Sequence, residues 1–336
     1  MKKIVISLII LIAFGGCTQK KVRKNLLPGV SGKAGEVLLV IDKKYWESQT
    51  GKAFRNLLLE DVPGLPQKEP LFTLVNIPLK SFSELFRIHR NIIYVQINKD
   101  VKKPDIKVEY NKWAKPQIVI TMSAPDEKSF LKLFDKDNQK VLSLLLKKEQ
   151  DRLMENYKTY SEHKVIKKLE QRAAVHLTIP KGYTYDLDTN NFIWISHETP
   201  DISQGIFVYW YNYKSQSQFT VDSLINRRND FLKRYVSGPY KGTYMTTEMQ
   251  VFPMFRSYML NKKYTAELRG LWRVEGDFMG GPFVSISQID EQRSRIVTVE
   301  GYVYAPKYDK REYVRQLEAI LYTIKFLPVK DKKNSK

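Results

Sequence analysis

Between Pro125 and Pro180 the chain contains neither proline nor glycine, and across that interval Phe130, Phe134, Val141, Leu145, Leu153, Tyr157 and Tyr160 recur at helical spacing. So long a stretch without a helix breaker, with its apolar residues on one stripe, commits the middle of the chain to one or two long amphipathic helices. Ser123-Ala-Pro-Asp126 ahead of it reads as a capping box. The charge and amide cluster at 135–139 predicts a break in the stripe. Such a segment could lie on a membrane surface, but the expectation is that it packs on the protein's own sheet.

The helical block separates two textures. Before it, 37–41 is a continuous apolar run, the mark of a strand buried on both faces. A helix is expected at 44–59, strands at 71–77, 91–97 and 117–122, and a short helix at 82–90. After it, aromatic-rich alternation predicts strands at 174–179, 191–196, 206–213, 242–250, 254–260, 264–274, 283–290 and 295–304, with helices at 219–235 and 310–324. The fold class is therefore α+β: an N-terminal α/β unit at 34–125, the long helical segment at 126–171, and at 172–328 a mainly antiparallel sheet with two helices on one face.

Cys17 is the only cysteine. It follows the basic pair Lys2-Lys3, an apolar run from Ile4 to Phe14 and the small residues Gly15-Gly16, the layout of a bacterial lipoprotein signal at 1–16. The apolar run is too short to span a bilayer. Acylation of Cys17 would anchor the protein in a membrane, and a lone cysteine excludes an intramolecular disulfide. Residues 17–33, with Lys20, Lys21, Arg23, Lys24 and Lys33 among Pro28, Gly29 and Gly32, read as a flexible basic tether. Residues 329–336 read as a disordered basic tail.

The formal charge is +20. In an exported protein this suits anionic lipid, lipopolysaccharide phosphates or acidic cell-wall polymer rather than nucleic acid. The four histidines, His89, His163, His176 and His197, are dispersed, with no i, i+3 or i, i+4 pair, and no phosphate loop or nucleophile elbow occurs. No metal and no cofactor is expected.

Two stretches could carry a ligand. In a strand, Glu267, Arg269, Leu271, Arg273 and Glu275 share one face, while Leu268, Gly270, Trp272 and Val274 share the other. Asp277-Phe-Met-Gly-Gly-Pro then makes a tight turn. Arg269 or Arg273 could bind an anion with Trp272 alongside and Asp277 orienting it; alternatively the charges pair across strands. Tyr209, Tyr211 and Tyr213 likewise share a face and could stack a sugar or peptide if exposed, or serve as ordinary cross-strand packing.

Arg269-Gly-Leu-Trp272, Asp277-Phe-Met-Gly-Gly-Pro-Phe283, Glu300-Gly-Tyr-Val-Tyr-Ala-Pro306 with Lys310-Arg311, Asn191-Phe-Ile-Trp194-Ile, Tyr209-Trp-Tyr-Asn-Tyr213 and Leu65-Pro-Gln-Lys-Glu-Pro70 resemble a family of Bacteroidota envelope lipoproteins known as domain of unknown function 4837. The resemblance implies a lipidated envelope protein and carries no activity. Thr-Gln-Lys-Lys after Cys17 lacks an acidic surface-export cluster, so the expected place is the periplasmic face of the outer membrane. The sequence favours a non-catalytic binding or scaffolding protein; the rival is a periplasmic hydrolase of peptidoglycan or glycan using Asp277, Glu275 or His197 as acid or base.

Overall fold

The structure is a computed structural model that describes residues 26–329. The expected signal at 1–16, Cys17, the tether up to residue 25 and the tail from 330 lie outside the described residues. The tether does not reach 33. Lys115 N donates to Pro28 O (2.8 Å), Ser31 N donates to Ile88 O (2.9 Å) and Arg90 N donates to Ser31 O (3.0 Å). Backbone donors and acceptors are satisfied there by the body itself, so the chain joins it from Pro28.

The N-terminal unit runs β1 (Glu36–Val40), α1 (Lys43–Trp46), α2 (Gln49–Leu58), β2 (Thr73–Ile77), α3 (Glu84–Arg87), β3 (Asn91–Ile97), β4 (Asp105–Tyr110) and β5 (Ile118–Ala124). Its sheet has the order β2-β1-β3-β5-β4, with β4 the antiparallel edge and the other strands parallel. The apolar run of β1 is explained by its two covers. Val37 and Leu39 face α2 and the long helix, while Leu38 and Val40 face Phe82, Phe86 and Trp113. Strand β4 is not among the strands expected from the sequence, although Asp-Ile-Lys-Val-Glu-Tyr alternates polar and apolar residues, with Ile106 and Val108 turned to the N-terminal core and the charged residues outward at the edge.

Helix α4 (Glu127–Thr159) is one unbroken helix of 33 residues, about 50 Å long. The predicted break at 135–139 does not occur. Asp and Asn cost a helix only about half a kcal/mol each, less than the anchors on both sides supply. Phe130, Phe134, Val141 and Leu145 bury in the N-terminal core, whereas Leu153, Met154 and Tyr157 join the core of the second unit. The cap is Asp126, whose Oδ1 accepts from Ser129 N (2.8 Å); Ser123, the expected start of a capping box, lies in β5. Between the two apolar stretches sits a polar clamp. Glu149 accepts from Arg90 Nη2 (2.7 Å), Asn91 Nδ2 (2.6 Å) and Arg152 Nη1 (2.8 Å), which fixes the helix against the start of β3. Burial brings the Arg152 guanidinium down to about 10 despite this partner.

The second unit follows as α5 (His163–Ala173), β6 (Val175–His176), β7 (Thr184–Asp188), β8 (Phe192–Glu198), β9 (Ser203–Asn212), α6 (Val221–Tyr235), β10 (Tyr244–Thr247), β11 (Met254–Leu260), β12 (Lys263–Glu275), β13 (Gly280–Asp290), β14 (Arg295–Tyr304), α7 (Arg311–Leu321) and β15 (Lys325–Phe326). An eight-stranded antiparallel sheet has the order β7-β8-β9-β14-β13-β12-β10, with β11 beside β10 on the outer edge of β12. Its helices cover both faces, not one. Ile193, Val208, Ile286 and Val299 point to α5 and α7, and Phe192, Phe207, Trp272 and Phe283 point to α6. The central strands are apolar in both alternating sets, so two covers are required.

Candidate functional site

The two units meet along a groove of about 580 Å³ bounded by α4, the loop after α2, β11, β12 and α7. Val62, Pro63, Leu71, Leu146, Met254, Phe255 and Val314 supply apolar walls, and the charged lining comprises five cations and three carboxylates. The loop is held by α7. Glu69 accepts from the backbone N–H groups of Lys310 and Arg311, both at 2.7 Å, and so caps the positive end of the helix. Arg311 Nη1 donates to Pro70 O (2.7 Å) and Arg315 donates to Leu71 O. The motif Leu65-Pro-Gln-Lys-Glu-Pro70 is thus the clasp between the units.

The floor is built around Glu267, whose side chain is 1% exposed. Arg256, directly opposite on β11, donates through Nε and Nη2 at 2.8 and 2.9 Å. The hydroxyls of Tyr258 (2.6 Å) and Tyr322 (3.0 Å) also donate to it. Arg269 bridges Glu267 and Glu318. Burial opposes ionisation of Glu267, but the Arg256 hydrogen bonds and the Arg269 and Arg256 charges outweigh it, and the carboxyl lies below its ordinary 4.5. Burial likewise opposes the charge on Arg256 and Arg269, and their carboxylate partners push both guanidiniums up. The Tyr258 and Tyr322 hydroxyls are raised, chiefly by burial.

The candidate residues chosen from sequence separate in space. Arg269 lies in the groove. Arg273, two positions along the same face, pairs instead with Glu275 Oε2 (2.6 Å) and Glu248 (3.7 Å). Trp272 is buried on the opposite face, its Nε1 donating to Val303 O (3.2 Å), and a Cβ on Gly281 would fall 2.0 Å from that same carbonyl, so the glycine permits the close approach. Asp277 accepts from Met279 N (3.0 Å) and shapes the turn. Tyr209 is 2% exposed and packs on Phe231 of α6 at 4.6 Å, and Arg227 lies 4.8 Å over the ring of Tyr211. The tyrosine row is roofed by the protein's own helix and is not an open stacking platform.

Sequence reasoning missed Arg256, Tyr258, Arg311, Arg315, Glu318 and Tyr322. A signal existed: Arg311, Arg315, Glu318 and Tyr322 fall at i, i+4, i+7 and i+11, a polar stripe on one face of α7. Among the described residues no group of three or more His, Cys, Asp or Glu stands together as a metal site would need, and no helix is long and apolar enough to cross a membrane.

The family model for the domain of unknown function DUF4837 matches residues 162–323. This chain carries a DUF4837 domain. A second model, the domain of unknown function DUF8532, matches residues 30–158, so the change from one to the other falls at the corner between α4 and α5, and the groove lies between the DUF4837 domain and its neighbour. No curated protein matches the chain. Among solved structures, the human StarD13 (DLC2) lipid transfer and protein localization domain overlaps 51% of this chain and 100% of its own at 12% identity, with a TM-score of 0.23, too low to bear on function or fold.

Proposed function

We propose that this is a lipid-anchored envelope protein, acylated at Cys17 and held at the periplasmic face of the outer membrane, whose folded body binds an anionic envelope component in the groove between its two units. The observation that carries the reading is the groove's chemistry: apolar walls and a charged lining of five cations and three carboxylates, in which Arg311 and Arg315 share the single carboxylate of Glu312, with Glu267 held as an ion-paired anion that cannot serve as a proton donor near neutral pH. Anionic lipid, lipopolysaccharide phosphate and acidic cell-wall polymer share the charge that such a floor attracts.

A hydrolase reading needs an acid and a base within reach of one bond. Asp277 and Glu275 sit at one end of β12, while His197 lies against Tyr183, ring centres 5.4 Å apart, on β8, four strands away and therefore about 19 Å across the sheet. No observation favours that reading.

The test has two arms. Cys17→Ser should lose palmitate label and move from the membrane pellet to the soluble fraction. Affinity capture from membranes with the native lipoprotein should retain an anionic lipid or polymer, and Leu146→Trp, which plugs the groove, should release it. Retention undiminished by the plug, or no retained component, would overturn the groove as the seat.

A further inference from the structure

Strand β11 forms much of the outer edge of the large sheet, and its side chains do not hide it. Met254, Phe255 and Met259 are 53%, 39% and 65% exposed, and Ser257 between them is exposed. Long apolar edges of this kind are templates for another strand, and proteins usually blunt them with charge or proline. Here the seven residues Met254-Phe-Arg-Ser-Tyr-Met-Leu260 read nearly the same in both directions: two apolar, one polar, serine, one polar aromatic, two apolar.

We propose that β11 pairs antiparallel with β11 of a second copy of this chain, about a two-fold axis passing at Ser257. That register sets Met254 opposite Leu260 of the second copy, Phe255 opposite Met259, and Arg256 opposite Tyr258. Each is a favourable cross-strand pair: apolar on apolar, thioether on aromatic, guanidinium on aromatic. Ser257 meets its own copy, and two small hydroxyls fit at an axis. A two-fold interface must be self-complementary in this way.

Charge fixes the register and the occupant. No acidic residue lies between Glu248 and Glu267, and the cations of the segment are Arg256, Lys262 and Lys263. The axis at Ser257 puts the two hairpin turns, each carrying Lys262 just after Leu260, at opposite ends of a seven-residue ladder about 20 Å long. Sliding the axis toward the hairpin turn would instead bring the lysines of both copies together. A lipid surface fits less well. The exposed apolar side chains lie on both faces of the strand, Met254 on the face of Arg256 and Phe255 with Met259 on the other, and the outer backbone groups need strand partners that lipid cannot give. Met254, Phe255 and Arg256 also line the groove, but the pairing is argued from the edge and needs no particular ligand there.

Full-length protein in detergent, sized by light scattering with the micelle subtracted, should be a dimer. Ser257→Lys sets two ammonium groups face to face at an exposed position and should raise the dimer dissociation constant at least about tenfold, with the thermal melt of the monomer unchanged. Ser257→Cys should form an interchain disulfide under mild oxidation well beyond wild type, whose only cysteine is Cys17, and beyond Lys167→Cys on the exposed side of α5. A monomer throughout, a dimer indifferent to Ser257→Lys, or cross-linking no better than the Lys167→Cys control would each overturn the proposal.

Discussion

The two faces of the large sheet bury the same ion pair in opposite ways. On the groove face Glu267 meets Arg256, whose side chain is 59% exposed, and is surrounded by further donors from Tyr258, Tyr322 and Arg269. On the α6 face Glu300 meets Arg228, both side chains at 0% exposure. Arg228 donates three hydrogen bonds to that carboxylate at 2.7 to 3.0 Å, a fourth to Thr247 (2.8 Å), and stacks 3.8 Å over Phe283. The carboxyl of Glu267 lies below its ordinary value and that of Glu300 above it, because burial outweighs a single guanidinium in one site and four donors outweigh burial in the other. A buried carboxylate's behaviour is set by how many donors reach it, not by burial alone.

The largest test of that contrast removes one guanidinium from each face. Arg228→Met strands a fully buried carboxylate and should cost about 3 to 5 kcal/mol in urea unfolding, most of it regained in the double variant Arg228→Met/Glu300→Leu. Arg256→Met leaves Glu267 with Arg269 and two hydroxyls, and should cost about 1 kcal/mol. Equal losses on the two faces would break the comparison.

A smaller effect tests the join between the units. Glu69→Ala removes a charged acceptor from two backbone N–H groups at the start of α7, worth about 2 kcal/mol. The loss should show in hydrogen exchange of the first turn of α7 and of loop 61–70 before any other segment opens. Uniform exchange through both units would mean that Glu69 does not hold the clasp.

The elements were legible where burial is one-sided or complete. The run Val37 to Ile41 and the proline-free interval around Phe130 and Leu145 declare themselves because every apolar residue has a cover. The continuity of α4 through 135–139 was not legible, since exposed polar residues state no preference strong enough to overrule neighbours; β4 was legible and missed, because Asp-Ile-Lys-Val-Glu-Tyr alternates as a half-buried strand should. The site was half legible. Arg269 stands out on an alternating strand, but its partners Glu318 and Tyr322 come from α7, about fifty residues on, and Arg256 and Tyr258 come from an edge strand whose pairing only the fold reveals. The tyrosine row misled for the same reason: Tyr209 and Tyr211 do share a face, and nothing in the strand says that α6 lies over it.

The smallest effect is a difference of sign, and it separates the two carboxylates most cleanly. Glu267 titrates below 4.5 in the folded protein, so its contribution to stability is complete above about pH 4.5 and is lost as the pH falls through its folded value. Glu300 titrates above 4.5, so the folded state binds its proton more tightly than the unfolded chain does. Its contribution is complete below about pH 4.5 and is lost as the pH rises through the folded value. Urea midpoints between pH 3 and 7 should therefore show that Glu267→Gln flattens the acid limb, while Glu300→Gln removes a decline on the other side of pH 4.5, whatever each costs in absolute stability. If both variants changed the slope in the same direction, the number of donors could not be what distinguishes the groove face from the face beneath α6.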